Sequence, residues 1–152
     1  MIARVRAATP GDAAALAELR WEFRAGRETA VEDHAAFIAR CAAWMRHELE
    51  CDTWRAWAAI DDSGVIIGQV WVDLIEKVPN PVGERERHAY LSNLYVKPNA
   101  RGGTGTALLE AALEWAGANH IDSIVLWPTE RSVTLYRRHR FTPDGRVMER
   151  KL

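Results

Sequence analysis

Residues 94–109, with the sequence LYVKPNARGGTGTALL, constrain the fold more than any other part of the chain. They read as a β-strand, a turn rich in arginine and glycine, and the first turns of a helix. Such a unit aims several backbone N–H groups at one point, which suits a bound phosphate. Gly102, Gly103 and Gly105 keep Cβ atoms away from that point and allow positive φ angles. Arg101 adds a permanent positive charge with forked donors, so the segment predicts an anion-binding loop.

Three kinds of phosphate-binding loop have this general form, and the local sequence separates them. A Walker A loop requires a Gly-Lys pair, and no such pair follows these glycines. The dinucleotide fingerprint requires a third glycine where Leu108 stands, and it belongs in the first βαβ unit rather than two-thirds along the chain. The first interpretation fails and the second is weak, which leaves the third kind.

The third kind is the pyrophosphate loop of acyl-CoA-dependent N-acetyltransferases, and in this loop the chain resembles the GNAT superfamily. The family pattern, Arg/Gln-x-x-Gly-x-Gly/Ala, stands between a strand and a helix, as the glycine-rich loop does here. A second motif, LYRRHRF at 135–141, is similar to the family's Leu-Tyr-x-x-x-Gly-Phe. The resemblance covers residues 54–148 well and the first 50 residues by element order alone.

The chain departs from the family pattern at three places. The loop is one residue short: counted from Pro98, Arg101 holds the family's arginine position, but counted back from Leu108 that position is Ala100. Arg140 stands where the family has a glycine, which predicts a looser turn or a strained φ. Thr129 stands where an asparagine is frequent, and it offers a shorter polar contact. The expected purpose of the loop is unchanged.

The periodicity of the chain predicts one mixed α/β domain over residues 1–152. Predicted strands cover 2–7, 53–60, 65–76, 88–96, 124–127 and 146–152. Predicted helices run from a Thr9 cap to about Arg24, over 31–48, from the glycine loop to near Gly117, and over 132–138. This order is that of the family which the chain resembles. It implies a central mixed, mostly antiparallel sheet, flanked by helices and splayed at the strand over 88–96.

Composition argues against several other classes of protein. The 152 residues are 48% hydrophobic with a net charge of −1, as expected for a globular domain with a sizeable core. The near-neutral charge argues against nucleic acid as the main partner. No signal peptide or long apolar run is present, so we expect a cytoplasmic protein without membrane association. Cys41 and Cys51 cannot build a disulfide framework, and no ligand spacing predicts a metal site.

The resemblance implies roles for the residues that match the family motifs. The backbone amides of Leu94, Tyr95 and Val96 would hold the pantetheine arm and polarise the thioester carbonyl. The other expected cofactor-binding residues are Arg101, Gly102, Gly103, Thr104, Gly105, Thr106, Thr129 and Ser132. Tyr136 corresponds to the family's leaving-group acid. A phenol with an ordinary pKa near ~10 is suited to protonating a thiolate whose conjugate pKa is about 8.5.

The group that removes the proton from the amine is less marked in the sequence. Family members often carry a glutamate or a histidine six residues before position 96, where this chain has Tyr90. By alternation, His88 and Ser92 share that face of the strand. Carboxylates within reach of these positions are Glu22, Glu84 and Glu86. Since each of these is typical of a solvated charge, we expect deprotonation through a water molecule held by Tyr90 or Ser92.

These patterns predict an N-acetyltransferase that moves an acetyl group from acetyl-CoA to a primary amine of a small molecule or a peptide by direct attack. The competing hypothesis is a non-catalytic acyl-CoA-binding sensor that regulates a partner. A homodimer is compatible with both. No motif specifies the acceptor, but Trp54, Trp57 and Trp71 indicate either core packing or a surface that stacks on a ring-bearing or apolar acceptor.

Overall fold

A computed structural model describes residues 3–143 and 145–152, and a sheet of five strands lies at its centre. The strands are β1 (Arg4–Ala7), β2 (Trp54–Ile60), β3 (Ile66–Glu76), β4 (Arg87–Val96) and β5 (Ser123–Val125). They lie side by side in chain order, with β1 to β4 antiparallel and β5 parallel to β4. The predicted central mixed, mostly antiparallel sheet is confirmed.

Helices cover both faces of the sheet. Within the described residues they are α1 (Ala13–Ala25), α2 (His34–Cys51), α3 (Thr104–Ala118) and α4 (Val133–Arg138). Because successive strand residues point to opposite faces, Val70 and Val72 pack in the core beneath α3, while Trp71 packs in the core beneath α1 and α2. No helix in these ranges is both long and apolar enough to cross a membrane.

Two helix starts differ in detail from the prediction because of local capping. The carboxylate of Asp33 accepts a hydrogen bond from the Ala36 N–H at 3.0 Å, so α2 begins at His34 rather than at residue 31. Thr9 and Pro10 begin a single 3-10 turn over Pro10–Asp12, and the regular helix α1 follows it. Both helices keep the apolar stripe that faces the sheet.

The predicted closing strand over 146–152 is wrong. The described residues of that segment form no strand, and Val147, Met148 and Leu152 are exposed. Most side chains of the segment are charged, and the neighbouring strand β5 is only three residues long. Pairing the two would therefore bury little apolar surface.

Strands β4 and β5 separate after a short parallel pairing, which positions the site. His88, Ala89 and Tyr90 pair with residues 123–125, and no pairing with β5 follows along the rest of β4. A bulge lies just beyond, where Asn93 has a φ of 56° and two β4 residues stand opposite Val70. Arg20 on α1 donates from Nη1 to Asn93 Oδ1 at 3.3 Å. The splay predicted at this strand is confirmed.

Candidate active site

A cavity of about 490 Å³ opens where β4 and β5 separate. It lies between the C-terminal half of β4, the N-terminus of α3 and the segment that enters α4, with α1 as one wall. All predicted cofactor-binding residues except Thr104 line it: Leu94, Tyr95, Val96, Arg101, Gly102, Gly103, Gly105, Thr106, Thr129 and Ser132. The structure thus brings the two sequence motifs to one cleft.

The loop before α3 presents its backbone to this cavity. Gly102 and Gly103 have φ angles of 110° and 108°, and no atom lies within 4 Å of where a Cβ would stand at either residue. No side chain caps α3, and the first helical hydrogen bond over the loop runs from Ala107 N–H to Gly103 O at 2.9 Å. The N–H groups that precede Ala107 are therefore available to an anion.

Two loop residues act differently from the prediction. Thr104 is buried, and its hydroxyl donates to Ala100 O at 2.8 Å, so it fixes the loop instead of lining the cavity. Gly105 lies inside α3 and needs no positive φ. A Cβ there would stand 3.9 Å from Leu135 and Val96, which is ordinary contact. Because it has no side chain, Gly105 leaves this part of the cavity open.

Arginine side chains give the cavity a positive charge. Arg101, Arg131 and Arg138 line it together with Arg27, whereas Glu22 is the acid in the lining. Of the three arginines in the second motif, Arg138 lines the cavity, and neither Arg137 nor Arg140 is part of its lining. Guanidinium groups bind phosphate oxygens through two parallel donors, so the charge and the geometry of this lining suit a polyphosphate.

The edge of β4 that faces the cavity carries alternate backbone amides. Lys97 N–H donates to Ile67 O on β3 at 2.9 Å. By alternation the amide of Tyr95 also faces β3, and those of Leu94 and Val96 face the side that β5 has left. Tyr95 contributes its side chain instead: the ring packs 5.1 Å from Phe23, and burial together with the neighbouring Glu22 raises its pKa.

Tyr136 lies in α4 beside the cavity but is not part of its lining. Its ring is buried and packs 5.5 Å from the ring of Phe141. Burial raises the pKa of Tyr136 to about 12, so the phenol is protonated at neutral pH. No hydrogen-bond partner for the hydroxyl occurs among the described residues, and the oxygen is not one of the fully enclosed polar atoms. A free donor is thus placed next to the cleft.

A tight turn precedes α4. Thr129 donates from its backbone N–H and its hydroxyl to Ser132 Oγ, at 2.9 and 3.0 Å, and Ser132 Oγ donates to Thr129 O at 3.0 Å. Both side chains hold this turn against the cavity, so the polar contact predicted for Thr129 is partly used within the chain.

The candidates for proton removal from the amine lie at three different places. Tyr90 donates from its hydroxyl to Ser92 Oγ at 3.3 Å on the α1/α2 side of β4. Glu84 and Glu86 instead contact Asn80 in the loop between β3 and β4, at 2.7 and 2.9 Å. Only Glu22 of the three carboxylates considered from the sequence lines the cavity.

Comparison with known proteins decides the family. The family model described as Acetyltransferase (GNAT) family matches residues 14–141. The chain belongs to the GNAT acetyltransferase family. The resemblance read from the two motifs is therefore confirmed, and family membership supports acyl transfer as the general activity of the chain.

Solved structures share this GNAT fold along the whole chain. A predicted acetyltransferase with acetyl-CoA from Clostridium acetobutylicum has a TM-score of 0.80 at 20% identity, covering 99% of this chain and 96% of that one. A GCN5-related N-acetyltransferase from Ralstonia eutropha JMP134 has a TM-score of 0.76 at 23% identity, with 97% of each chain covered. An aminoglycoside acetyltransferase from an uncultured soil metagenomic sample has a TM-score of 0.68 at 21% identity, covering 100% and 98%. No curated protein sequence matches the chain significantly.

Sequence reasoning missed several residues of this GNAT site. Arg131 and Leu135 line the cavity because the turn at Thr129 directs the chain along it. No local pattern marks Arg131, and Leu135 begins the second motif but had no expected role. Asp73 was not among the candidates either, and it stands directly opposite Tyr90 across the β3–β4 pair. The alternation of β3 could have placed Asp73 on the face of Trp71, but its partner depends on the loop between the strands and on the bulge at Asn93.

Proposed function

We propose that this GNAT protein is an acetyl-CoA-dependent N-acetyltransferase whose acceptor is a primary amine of a small molecule or a peptide. The observation that carries the proposal is one continuous cleft with two kinds of backbone donor. The open N-terminus of α3 lies at one end, and the amides of Leu94 and Val96 lie along the unpaired edge of β4. Pyrophosphate and thioester occur in acetyl-CoA in that order.

The residues of the cleft fit acetyl-CoA. Cβ atoms at Gly102 and Gly103 would project into open space, so their absence leaves room for phosphate oxygens against the main chain. Arg101, Arg131 and Arg138 supply the compensating charge. Bound acetyl-CoA supplies an activated acetyl thioester, and the remaining tasks belong to side chains and amides of this protein.

Each step of direct transfer then has a group to serve it. The amides of Leu94 and Val96 donate to the thioester carbonyl oxygen, where negative charge develops during attack. Tyr136 donates a proton to the departing sulfur, because its hydroxyl is protonated and is not engaged by a partner among the described residues. The hydroxyls of Tyr90 and Ser92 hold a water molecule on the amine side. Direct attack by the amine needs no covalent acyl-enzyme.

The test is thiol release from acetyl-CoA over a broad panel of primary amines, measured beside calorimetric binding of acetyl-CoA. We expect acetyl-CoA to bind and at least one amine to give turnover with formation of its N-acetyl product. Binding without thiol release on any amine would favour the non-catalytic sensor. Failure to bind acetyl-CoA would reject both functions.

A further inference from the structure

One cross-strand row of the sheet combines two aromatic residues and an acid. Trp54 on β2 stands opposite Asp73 on β3, and Asp73 stands opposite Tyr90 on β4. Directly opposed residues point to the same face with Cβ atoms about 5 Å apart. The rings of Trp54 and Tyr90 approach to 6.1 Å between centroids, so they meet across the strand that carries Asp73.

Further rings extend this pair into an aromatic row formed by Trp44, Trp54, Tyr90 and Trp127. Trp127 packs 5.2 Å from Tyr90, and Trp44 packs 5.5 Å from Trp54. The outer members are open to solvent, with 62% of Trp127 and 44% of Trp44 exposed. Exposed large rings joined in one patch are typical of a surface that binds another molecule.

The carboxylate of Asp73 has no cation beside it. Among the described residues no Lys, Arg or His lies within ion-pair distance of Asp73, whereas Asp12 and Asp122 are paired at 2.7 and 2.9 Å. Its hydrogen bond comes from the backbone of Leu74, and Glu48 on α2 adds negative charge nearby. Burial is the main cause that raises the pKa of Asp73 above its ordinary value; the hydrogen bond from Leu74 opposes this rise and Glu48 adds to it.

A positively charged group, Arg20, also lies near this patch, toward the splayed part of β4. Arg20 on α1 is close enough to Tyr90 and Cys41 to interact electrostatically, and its guanidinium donates to Asn93 at the bulge. Burial lowers the pKa of Arg20. Asp73 thus lies beside Tyr90 on β3, whereas Arg20 lies toward Asn93 and the splayed part of β4.

Ser92 connects Asp73's row with the thioester end of the cleft. It lies on the same face of β4 as Tyr90 and is two residues closer to Leu94. Its Oγ accepts a hydrogen bond from the Tyr90 hydroxyl at 3.3 Å. At about 3.3 Å per residue, Tyr90 and Leu94 are roughly 13 Å apart before the bulge shortens the path. An amine near Ser92 can reach the thioester while its proton reaches Asp73 through one or two water molecules.

We infer that Asp73 receives the proton of the acceptor amine and that the aromatic row binds the body of the acceptor. This inference rests on the proposed acetyl transfer. The ammonium group gives one proton through water to Asp73, which later returns it to solvent. The nitrogen then forms a bond to the carbonyl carbon as the carbon–sulfur bond breaks. A second proton leaves the nitrogen and returns through water to the Tyr136 oxygen, which has given its own proton to the sulfur.

The patch also selects the class of acceptor. Its rings offer flat apolar faces, and its charge is negative, so it favours a cationic amine carried on an aromatic or flat apolar group. A polyhydroxylated amine would find few hydrogen-bond partners on these rings. We therefore expect arylalkylamines to be better acceptors than amino sugars or short aliphatic amines.

The first experiment compares Asp73→Asn with wild type on 2-phenylethylamine across pH. We expect the turnover rate at neutral pH to fall about a hundredfold or more, the lower end of the general-base range. The acid limb of the wild-type profile should be replaced by a steady rise toward the amine's own pKa. Acetyl-CoA affinity should be unchanged, and the melting temperature should not fall, because the substitution removes an unpaired charge. Asp73→Glu should recover part of the rate, and Glu84→Gln is the matched control at an acid outside the site.

A second experiment tests the aromatic row by binding. Calorimetry of 2-phenylethylamine and of ethylamine on the CoA-saturated protein compares wild type with Trp127→Ala, and Trp115→Ala on the opposite face is the control. We expect Trp127→Ala to lower the affinity for 2-phenylethylamine about five- to tenfold, as for the loss of one aromatic pair. The affinity for ethylamine should change little.

The outcomes separate the inference from the proposed function. If wild type turns over amines and Asp73→Asn keeps both its rate and its acid limb, the inference is overturned and acetyl transfer stands. An equal loss of rate at every pH, with weakened acetyl-CoA binding, would assign Asp73 a structural role instead. Equal binding of both amines by Trp127→Ala and wild type would remove the aromatic row from the site. If wild type transfers acetyl to no amine, the proposed function fails and the inference fails with it.

Discussion

The cofactor end and the acceptor end of this site are built in different ways. The cofactor end is mostly main chain from one continuous segment, 94–106, in which glycines open the backbone to a ligand. The acceptor end, by our proposal, is side chains only: α2, β2, β3, β4 and the segment after β5 each provide one member of Asp73's patch. The backbone geometry of one segment is determined by its local sequence, whereas a surface made of side chains from several elements depends on the register in which the strands pair.

The two ends also differ in charge. Arg101, Arg131 and Arg138 make the cofactor cleft positive, whereas Asp73 and Glu48 make the aromatic row negative. By our proposal an anionic co-substrate and a cationic amine are therefore drawn to separate parts of the site, which meet near Ser92. Four substitutions at the cofactor end and at the end of α4 test the cofactor side of this division.

The largest expected effect concerns space at the cofactor end. Gly105→Val should lower acetyl-CoA affinity more than about a hundredfold, because the new side chain would occupy the cavity beside the α3 N-terminus. Unlike the residues at 102 and 103, Gly105 is helical with ordinary contacts at its Cβ position, so folding should survive. Calorimetry measures the affinity. Gly117→Val, on the same helix outside the cavity, is the control, and equal affinity in both variants would reject the assignment of the loop.

The next largest effect concerns catalysis at the cofactor end, where Tyr136 is the proposed proton donor. Tyr136→Phe keeps the ring against Phe141 and removes the hydroxyl proposed to protonate the sulfur, so we expect at least ~tenfold lower turnover. Acetyl-CoA affinity should stay nearly constant, since an acid that acts in the transition state does not hold the ground state. Steady-state rates beside a binding isotherm check this. Wild-type turnover would leave Tyr136 as a core residue, with water or Ser132 as the donor.

The cofactor end could be predicted from the sequence because its determinants are neighbours in the chain. Gly102 and Gly103 do adopt the positive φ angles that their sequence context indicated, and Arg140 does hold the strained φ expected where the family has glycine. The position of the loop amides can therefore be predicted from neighbouring residues, without information about distant parts of the chain. What the pattern could not show was which β4 amides face the cleft, because the bulge at Asn93 sets their alternation.

The acceptor end was not predictable in the same way. Asp73 is one of several acids on predicted strands, and its position opposite Tyr90 follows from the pairing of β3 with β4. Trp127 approaches Tyr90 because β5 is short and the chain turns after it. The predicted closing strand over 146–152 is wrong for a related reason: strand pairing needs a partner edge and enough apolar surface to bury, and neither can be read from that segment alone.

A smaller effect separates adjacent arginines at the cofactor end. Arg138 lines the cavity and Arg137 does not, although both lie in the last turn of α4. Arg138→Gln should weaken acetyl-CoA binding about five- to tenfold, roughly the 1–1.4 kcal/mol of one charged contact. The loss should shrink as salt concentration rises. Arg137→Gln is the control. Equal losses of affinity in both variants, measured by calorimetry, would mean that the arginines act through long-range electrostatic attraction and not through direct contact with the ligand.

The smallest effect concerns stability at the end of α4, where the chain departs from the family glycine. Phe141 N–H donates to Tyr136 O and Arg140 N–H donates to Arg137 O, both at 3.1 Å, which closes the helix in a Schellman motif with Arg140 at the left-handed position. A residue with a Cβ is strained there by about 1 kcal/mol, which glycine avoids. Arg140→Gly should therefore raise the free energy of unfolding by ~0.5–1 kcal/mol, measured by denaturant titration. Arg137→Gly, the same substitution inside the helix, should lower it by about as much. A loss of stability in Arg140→Gly would mean that contacts of the arginine side chain outweigh the strain of its backbone.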